Sequence, residues 1–430
     1  MQEGLAVYLS MRYLQLSVIL LCGLCLQAHP SALKRPKQDT LLESILRSHP
    51  AFADIMQHRN DWNVQIVYTE INRNKRNKPI FTDHSFNLQP SAYFYPASTV
   101  KMPIAFLALE KLNELNIPGL DMHTTMLTDS ATAKQDHVYH HPLAGDGRPT
   151  IALYIKQIFL VSDNDAYNRL YEFLGQEYIQ RKLKEKGYPD AVIRHRLSVS
   201  LTDQQNRQTN PIRFIDSTGK TIYEQPAQNN TNSLPNLNVF QGEGYMRGSK
   251  LINEPFNFSE KNRVYLQDLH NMLKAVMFPE SVSAKQRFKL TQTDLNFLRR
   301  WMSSYPGESK YPEYPANEYW PSYVKFLYYG SEKQSPIQQH IRIFNKVGDA
   351  YGHLTDIAYF ADFQNNIEFI LSATVYCNSD GIFNDDHYDY DKIGFPFMRD
   401  LGKAVYQHAL KRVKKHTPNL KNFVYTYQRD

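Results

Sequence analysis

From residue 39 apolar positions recur at helical spacing, with Leu41, Leu42, Ile45, Leu46 and Phe52 on one stripe, which predicts an amphipathic helix. Residues 63–69 then alternate like a strand. A turn-like stretch rich in Asn, Arg and Lys separates them from a second extended run near 79–82, so a hairpin is expected. From Ser98 the period becomes helical again, with Val100, Ile104, Leu107 and Leu112 on one stripe, ending near Asn116-Ile-Pro118. Helical patterns dominate 151–187 and return at 266–277 and 293–302. Strand-like runs occupy 340–346, 354–362 and 367–377, and a last amphipathic helix runs from Phe397 to about Lys415. Residues 195–260 are polar, rich in Asn, Gln and Thr and without period, and read as a long loop or insertion.

Strands at both ends of the chain that must pair with each other predict an α+β fold, an antiparallel sheet flanked by helices with an all-helical region inserted. The α/β part is assigned to 39–118 and 340–430, its helical part to 119–190, and an atypical insertion with further helices to 191–339.

The apolar run 14–26 behind Arg12 is too short for a membrane span and fits the core of a secretory signal, with cleavage after Ala28. Residues 1–28 are therefore read as a signal peptide and the protein as periplasmic or secreted, of bacterial type. An uncleaved anchor, or a lipid on Cys25, is the alternative and the only membrane attachment expected. Removing 1–28 also removes Cys22 and Cys25, leaving Cys377, so no internal disulfide can form.

Composition narrows the class. The 430 residues are 42% hydrophobic and 21% charged, enough to bury a core and too apolar for wholesale disorder. A net charge of +6, from 49 basic against 43 acidic residues, lacks the dense basic stripe of a nucleic-acid surface. Twenty-nine Tyr and 23 Phe can pack a core or line a carbohydrate- or peptide-binding groove. No Gly-rich phosphate loop is present. His137, His140 and His141 lie in an unperiodic loop and are read as hydrogen-bonding rather than metal-binding, and the acidic run 385–391 as a solvated turn. No metal or cofactor is implied, and a monomer is expected.

Three short motifs carry the chemistry. In Phe94-Tyr-Pro-Ala-Ser-Thr-Val-Lys-Met-Pro, Ser98 and Lys101 stand three apart at a helix start and share a face. An amine there can take the serine proton, and the positive helix end favours the developing alkoxide. The alternative is an ordinary N-cap serine with a solvated lysine. Ser31-Ala-Leu-Lys34 matches the same pattern in a polar segment, so the motif alone is weak. In Val161-Ser-Asp-Asn-Asp, Ser162 can relay a proton and Asn164 can hold a carbonyl or the lysine; here the alternative is a plain N-cap cluster. In Ile341-Arg-Ile-Phe-Asn-Lys-Val-Gly-Asp, Lys346 ends an alternating strand. Gly348 bares the strand edge, and the N–H of Asp349 can point at an oxyanion, against a solvated strand-end lysine as the alternative.

In this order the motifs, with Ala97, Pro103, the run 108–112, Tyr351-Gly352 and Asp356-Ile-Ala, resemble the class A β-lactamases and the penicillin-binding proteins that share their fold. The resemblance covers about 40–190 and 340–415. It implies a β-lactamase/transpeptidase-like fold and an acyl-enzyme serine hydrolase acting on a small β-lactam or a cell-wall peptide. Ser98 would be the nucleophile, Lys101 its base, and Ser162 the donor to the leaving nitrogen. Asn164 would bind the substrate amide, Lys346 and Gly348 would line the edge strand, and the N–H groups of Ser98 and Asp349 would form the oxyanion hole.

Two departures bear on activity. The stretch expected to supply a deacylating glutamate, 193–211, has Asp203 as its only carboxylate, with Glu243 as a more distant substitute. Without a placed base, deacylation is expected to slow by roughly 10²–10⁴-fold. The usual hydroxyl residue between the lysine and the glycine is Val347, which removes a donor for a substrate carboxylate. The expected activities are therefore a β-lactamase, a slow-deacylating D-alanyl-D-alanine peptidase, or an inactive relative that binds cell-wall peptides. The aromatic run 311–320 is read as a patch packed on the domain rather than a substrate platform.

Overall fold

A computed structural model describes residues 40–89, 92–427 and 429. The apolar run 14–26, the cleavage site, Cys22, Cys25 and the Ser31–Lys34 motif lie outside the described residues. Among the described residues no helix is long and apolar enough to cross a membrane, and no group of three His, Cys, Asp or Glu could hold a metal ion.

Helix α1 (Thr40–Arg47) leads into a hairpin of β1 (Gln65–Arg73) and β2 (Pro79–Phe86). Then come α2 (Lys101–Leu115), α3 (Ile151–Val161), α4 (Asn164–Leu174), α5 (Gln176–Glu185), α6 (Leu266–Met277) and α7 (Gln292–Ser303). The chain returns to the sheet through β3 (Ile341–Ala350), β4 (His353–Asp362) and β5 (Ile367–Tyr376), and closes on α8 (Phe395–Lys411). The sheet order is β3-β4-β5-β1-β2, antiparallel throughout, so β1 from the start of the chain and β5 from its last third pair as expected.

β4 and β5 are buried along almost their whole length because helices cover both faces. On one face α1 and α8 deliver Leu42, Ile45, Leu46, Met398, Leu401 and Val405 into a cluster with Ile66, Leu354, Phe369 and Leu371 of the strands. Cys377 is buried in the same cluster, a small apolar residue there rather than a reactive thiol. On the other face α6 packs over β1, β4 and β5, and α7 over β3.

Helix α2 departs from the one-stripe expectation: residues 101–112 are all buried. It runs through the middle of the helical region, packed by α3, α4 and α5, and a helix so enclosed is buried all round. Its buried glutamate is ion-paired, and its buried lysines donate to neutral oxygens. Glu110 receives Lys182 at 2.6 Å and Lys186 at 2.8 Å.

Residues 195–260 are not a loop. They form short two- to five-residue strands: Ile212–Ile215 pairs with Thr125–Thr128 and Thr221–Gln225, and Gly244–Arg247 with Lys250–Ile252 and Ile382–Phe383. Strands this short cannot display a period of two, which is why the pattern was silent. One product is an aromatic cluster around the β3–β4 hairpin, whose two turn residues Tyr351 and Gly352 both have positive φ, 53° and 73°. Tyr351 stacks on Phe256 at 5.4 Å and meets Tyr95 edge-on at 5.1 Å and Phe258 at 5.5 Å.

A buried chain of hydrogen bonds ties α6 to the sheet. His270 Nε2 donates to Thr69 Oγ1 (2.7 Å), which itself donates to Asp83, and His270 Nδ1 accepts from Ser372 Oγ (2.8 Å). Burial pushes the His270 pKa from 6.5 to about 3, with the Lys274 charge adding to the effect. Burial likewise takes His195 to about 4 and His353 to about 3. The unfolded chain takes up these protons near pH 6.5 and the folded chain only far below, so stability falls as pH drops through this window, by about 1.4 kcal/mol per pH unit for each histidine. Urea unfolding at pH 7, 6 and 5 should show this slope, reduced in His270→Gln by about one histidine's share; an unchanged slope would rule out His270 as a contributor.

Candidate active site

Ser98 sits in a tight turn (Ala97–Val100) ahead of α2, and its side chain caps nothing: the turn is closed by Thr99 Oγ1 donating to the carbonyl of Pro96. Ala97, just before it, is held at φ 44°, a conformation non-glycine residues adopt only under tertiary constraint. The constraint is β3. A Cβ on Gly348 would stand 2.8 Å from Pro96 O, Ser98 N and Thr99 N, so only glycine lets the strand edge lie against this turn. The half-buried Ser98 side chain thus opens beside Asp349 and Ala350, in a cleft of about 330 Å³.

Three residues on, at the start of α2, Lys101 is fully buried. Its Nζ donates to the carbonyl of Ser162, to Asn164 Oδ1 at 2.7 Å and to Ser162 Oγ at 3.3 Å. The α3–α4 junction makes this possible. Ser162 is the left-handed C-cap of α3 (φ 60°), and Asp163 caps α4 by accepting from Ala166 N at 2.8 Å. Because the middle residue does the capping, Ser162 and Asn164 on either side are free to face Lys101. Asn164 is oriented by donating its Nδ2 to Ser198 Oγ at 2.8 Å.

Lys346 is brought to the same hydroxyl from the sheet: its Nζ donates to Ser162 Oγ at 2.8 Å and to the carbonyl of Val347 at 2.7 Å. Ser162 Oγ therefore bridges two buried lysines. Burial, then the charge of Lys346, holds the Lys101 ammonium well below the usual lysine range, against the opposing pull of Asp163 and Asp349. Burial also brings Lys346 down to about 7, although Asp349 and Asp356 favour its charged form. An amine so disposed to be neutral can accept a proton from a serine hydroxyl.

Behind Lys346 lies a network with little signal in the sequence. Lys325 Nζ donates to Asn345 Oδ1 at 2.6 Å and to the carbonyls of Met302 and Ile343; Asn345 Nδ2 donates to Asp356 Oδ1 at 2.9 Å; and Leu327 N donates to Asp356 Oδ2 at 2.9 Å. All three side chains are buried, and burial drives both the lysine and the aspartate toward their neutral forms. The network fixes β3 and β4 against the 302–327 segment. Asp356 is part of the Asp-Ile-Ala match, whereas nothing marked Lys325.

Residues 50–293, more than half of the chain and including Ser98, Lys101, Ser162 and Asn164, match the model of the beta-lactamase enzyme family. The chain belongs to the beta-lactamase enzyme family. No curated protein matches. Among solved structures, a beta-lactamase from Sphaerobacter thermophilus is 13% identical, covering 85% of this chain and 97% of its own, with a TM-score of 0.44. A beta lactamase from Xanthomonas campestris is also 13% identical, covering 85% and 98%, TM-score 0.44. PBP-A is 15% identical, covering 87% and 98%, TM-score 0.44. A PBP-A mutant has been solved as an acyl-enzyme complex with penicillin G.

Within this beta-lactamase-type fold neither sequence candidate for a deacylating base reaches Ser98. Asp203 is clamped by Arg194 and Arg207, each at 2.7 Å; partial burial pushes its pKa up, but the two guanidiniums hold it below the usual carboxylate range. Glu243 lines a different cavity, with Asn63, Gln241 and Asp380. The 193–211 stretch presents Leu197 and Ser198 to the Ser98 cleft, and the carboxylates that line it are Asp349 and Asp386, from the end of β3 and the 384–388 loop. Lys392-Ile-Gly394 repeats the Lys-x-Gly spacing of Lys346–Gly348 but lies in the helical turn leading into α8.

Two outcomes are expected. In protein carrying 13C-labelled lysine, NMR titration should find Lys101 losing its proton well below the ordinary lysine range, and at higher pH in Lys346→Met, where the neighbouring charge is gone; an unshifted midpoint would contradict the coupling. Gly348→Ala forces strand and turn apart and should cost about 1–3 kcal/mol of stability in urea unfolding. Any reaction at Ser98 should slow by about 10²-fold through misplacement alone.

Proposed function

We propose that the protein is an exported, class A-like serine hydrolase whose Ser98 is acylated by β-lactam or D-Ala-D-Ala-like amides and releases the acyl group slowly. One observation carries this reading: a half-buried serine opens onto a cleft three residues ahead of a buried lysine disposed to be neutral, and one hydroxyl, that of Ser162, joins that lysine to a second. The apolar run 14–26 supports export to a bacterial periplasm or beyond.

In this mechanism Lys101 Nζ takes the Ser98 Oγ proton as Oγ bonds to the carbonyl carbon. The carbonyl oxygen becomes an oxyanion against the N–H groups of Ser98 and Asp349. The C–N bond then breaks as Ser162 Oγ gives its proton to the departing nitrogen and is reprotonated from the lysines beside it. Asn164 and the bare edge at Gly348 hold the substrate's amide groups. Water must then cleave the ester. With Asp203 bound to two arginines and Ser198 facing the cleft where a base is wanted, this second half is slow, which favours a penicillin-binding peptidase over a rapid β-lactamase.

Intact-mass analysis after incubation with benzylpenicillin tests the proposal. Wild type should gain the full mass of the penicillin and keep it for many minutes, and Ser98→Ala should gain nothing. Turnover without a lasting adduct would point to a base not identified among these residues. No adduct and no turnover, alongside normal folding, would leave a peptide-binding relative and sink the catalytic reading.

A further inference from the structure

Next to the Ser98 cleft lies a second cavity of about 480 Å³, and it shares Ser162, Val347 and Asp349 with the reaction centre. Its position follows from that sharing. Ser162 supplies the departing group with a proton in the proposed mechanism, so what enters this cavity is the departing half of the substrate.

The wall is unlike a carboxylate site. Trp320, Tyr323, Phe326, Val347 and Phe395 line it with apolar surface. Trp320 and Tyr323 meet edge-on at 4.9 Å, and Trp320 is held by donating its indole N–H to the carbonyl of Ser331 at 2.8 Å. Part of the 311–320 aromatic run does pack away, since Tyr314 is buried, but Trp320 is left half-buried at the cavity. Three carboxylates with exposed side chains, Glu332, Asp349 and Asp391, stand around the cavity against a single lysine, Lys333, whose Nζ lies 5.2 Å over the Trp320 ring. Glu332 is paired with Arg399 and Asp349 faces Lys346 and Lys101, whereas Asp391 has no ion-pair partner among the described residues. Lys346 Nζ already donates to Ser162 Oγ and the Val347 carbonyl. An anion placed here would meet no hydroxyl at position 347 and the unpaired carboxylate of Asp391, and like charges brought together in a partly desolvated site are costly. An apolar group would gain the full value of the aromatic wall.

We infer that the departing half of this enzyme's substrate is an apolar group without a carboxylate, seated against Trp320, Tyr323 and Val347. This rests on the acylation of Ser98 proposed above and narrows its substrates to amides and lactams whose departing carboxyl is absent or masked. The bond changes are those already given: Ser98 Oγ–C forms, C–N breaks, and the nitrogen of the apolar half leaves with the proton from Ser162.

Benzylpenicillin and its methyl ester make a matched pair, because the only difference lies on the departing side of the lactam. Acylation rates followed by intact mass should favour the methyl ester on wild type by about 10–100-fold, the scale on which single pocket contacts discriminate. Val347→Thr, nearly the same shape with a hydroxyl added, should narrow the preference by speeding the acid. Trp320→Phe should slow the ester more than the acid and so narrow the preference. Equal rates, or a faster acid, on a wild type that does form the Ser98 adduct would overturn the inference and leave the proposed function standing. No adduct from either compound would overturn both.

Discussion

The structure turns on the burial of one amine. Lys101 sits with no exposed surface in a helix enclosed on all sides, and burying an ammonium is affordable only if it is richly hydrogen-bonded or gives up its proton. Both solutions are set up here. The α3–α4 junction offers it a carbonyl, an amide oxygen and a hydroxyl, and the second lysine across that hydroxyl weakens its hold on the proton. Much of the helical region serves this placement: α2 must be buried all round to desolvate the lysine, and α3 must end in a left-handed serine to aim the junction at it. The cost in stability is set against chemistry that a solvated lysine cannot do.

The two halves of the domain meet at this amine from opposite sides. The helical region brings Ser162 and Asn164, the sheet brings Lys346, and Ser98 lies where a glycine lets the two backbones touch. The Lys325–Asn345–Asp356 network gives the sheet side its rigidity by fixing β3 and β4 from behind. The reaction centre is therefore a contact between two layers and not a feature of either.

Legibility in the sequence followed how local each determinant was. The Ser98–Lys101 pair was readable because three residues of spacing at a helix start fix the face, Ser162 and Asn164 because they fall between two helical patterns, and the strands at 341–376 because long buried strands are long apolar runs. The role of Asp163 as the cap that frees its neighbours needed the junction's dihedral angles. The segment 195–260 was unreadable because its strands are two to five residues long and its order comes from rings that meet across distance. Lys325 reaches Asp356 only through the fold, and Trp320 faces a cavity whose opposite wall is 27 residues further on at Val347, so neither role has a local signature. The family match itself ends at residue 293, short of Lys346, so the third motif rests on geometry and spacing.

The positive-φ tyrosine at the tip of the β3–β4 hairpin ties the segment 195–260 to the centre. A tyrosine in that conformation costs of order 1–3 kcal/mol unless its surroundings impose it, and here the surroundings are Phe256 and Phe258 from that segment, with Tyr95 three residues before Ser98. The hairpin leads directly out of Gly348 and Asp349. The segment is thus no detachable appendage: cutting it out would withdraw the clasp from the strand edge on which Gly348 and the Ser98 turn meet.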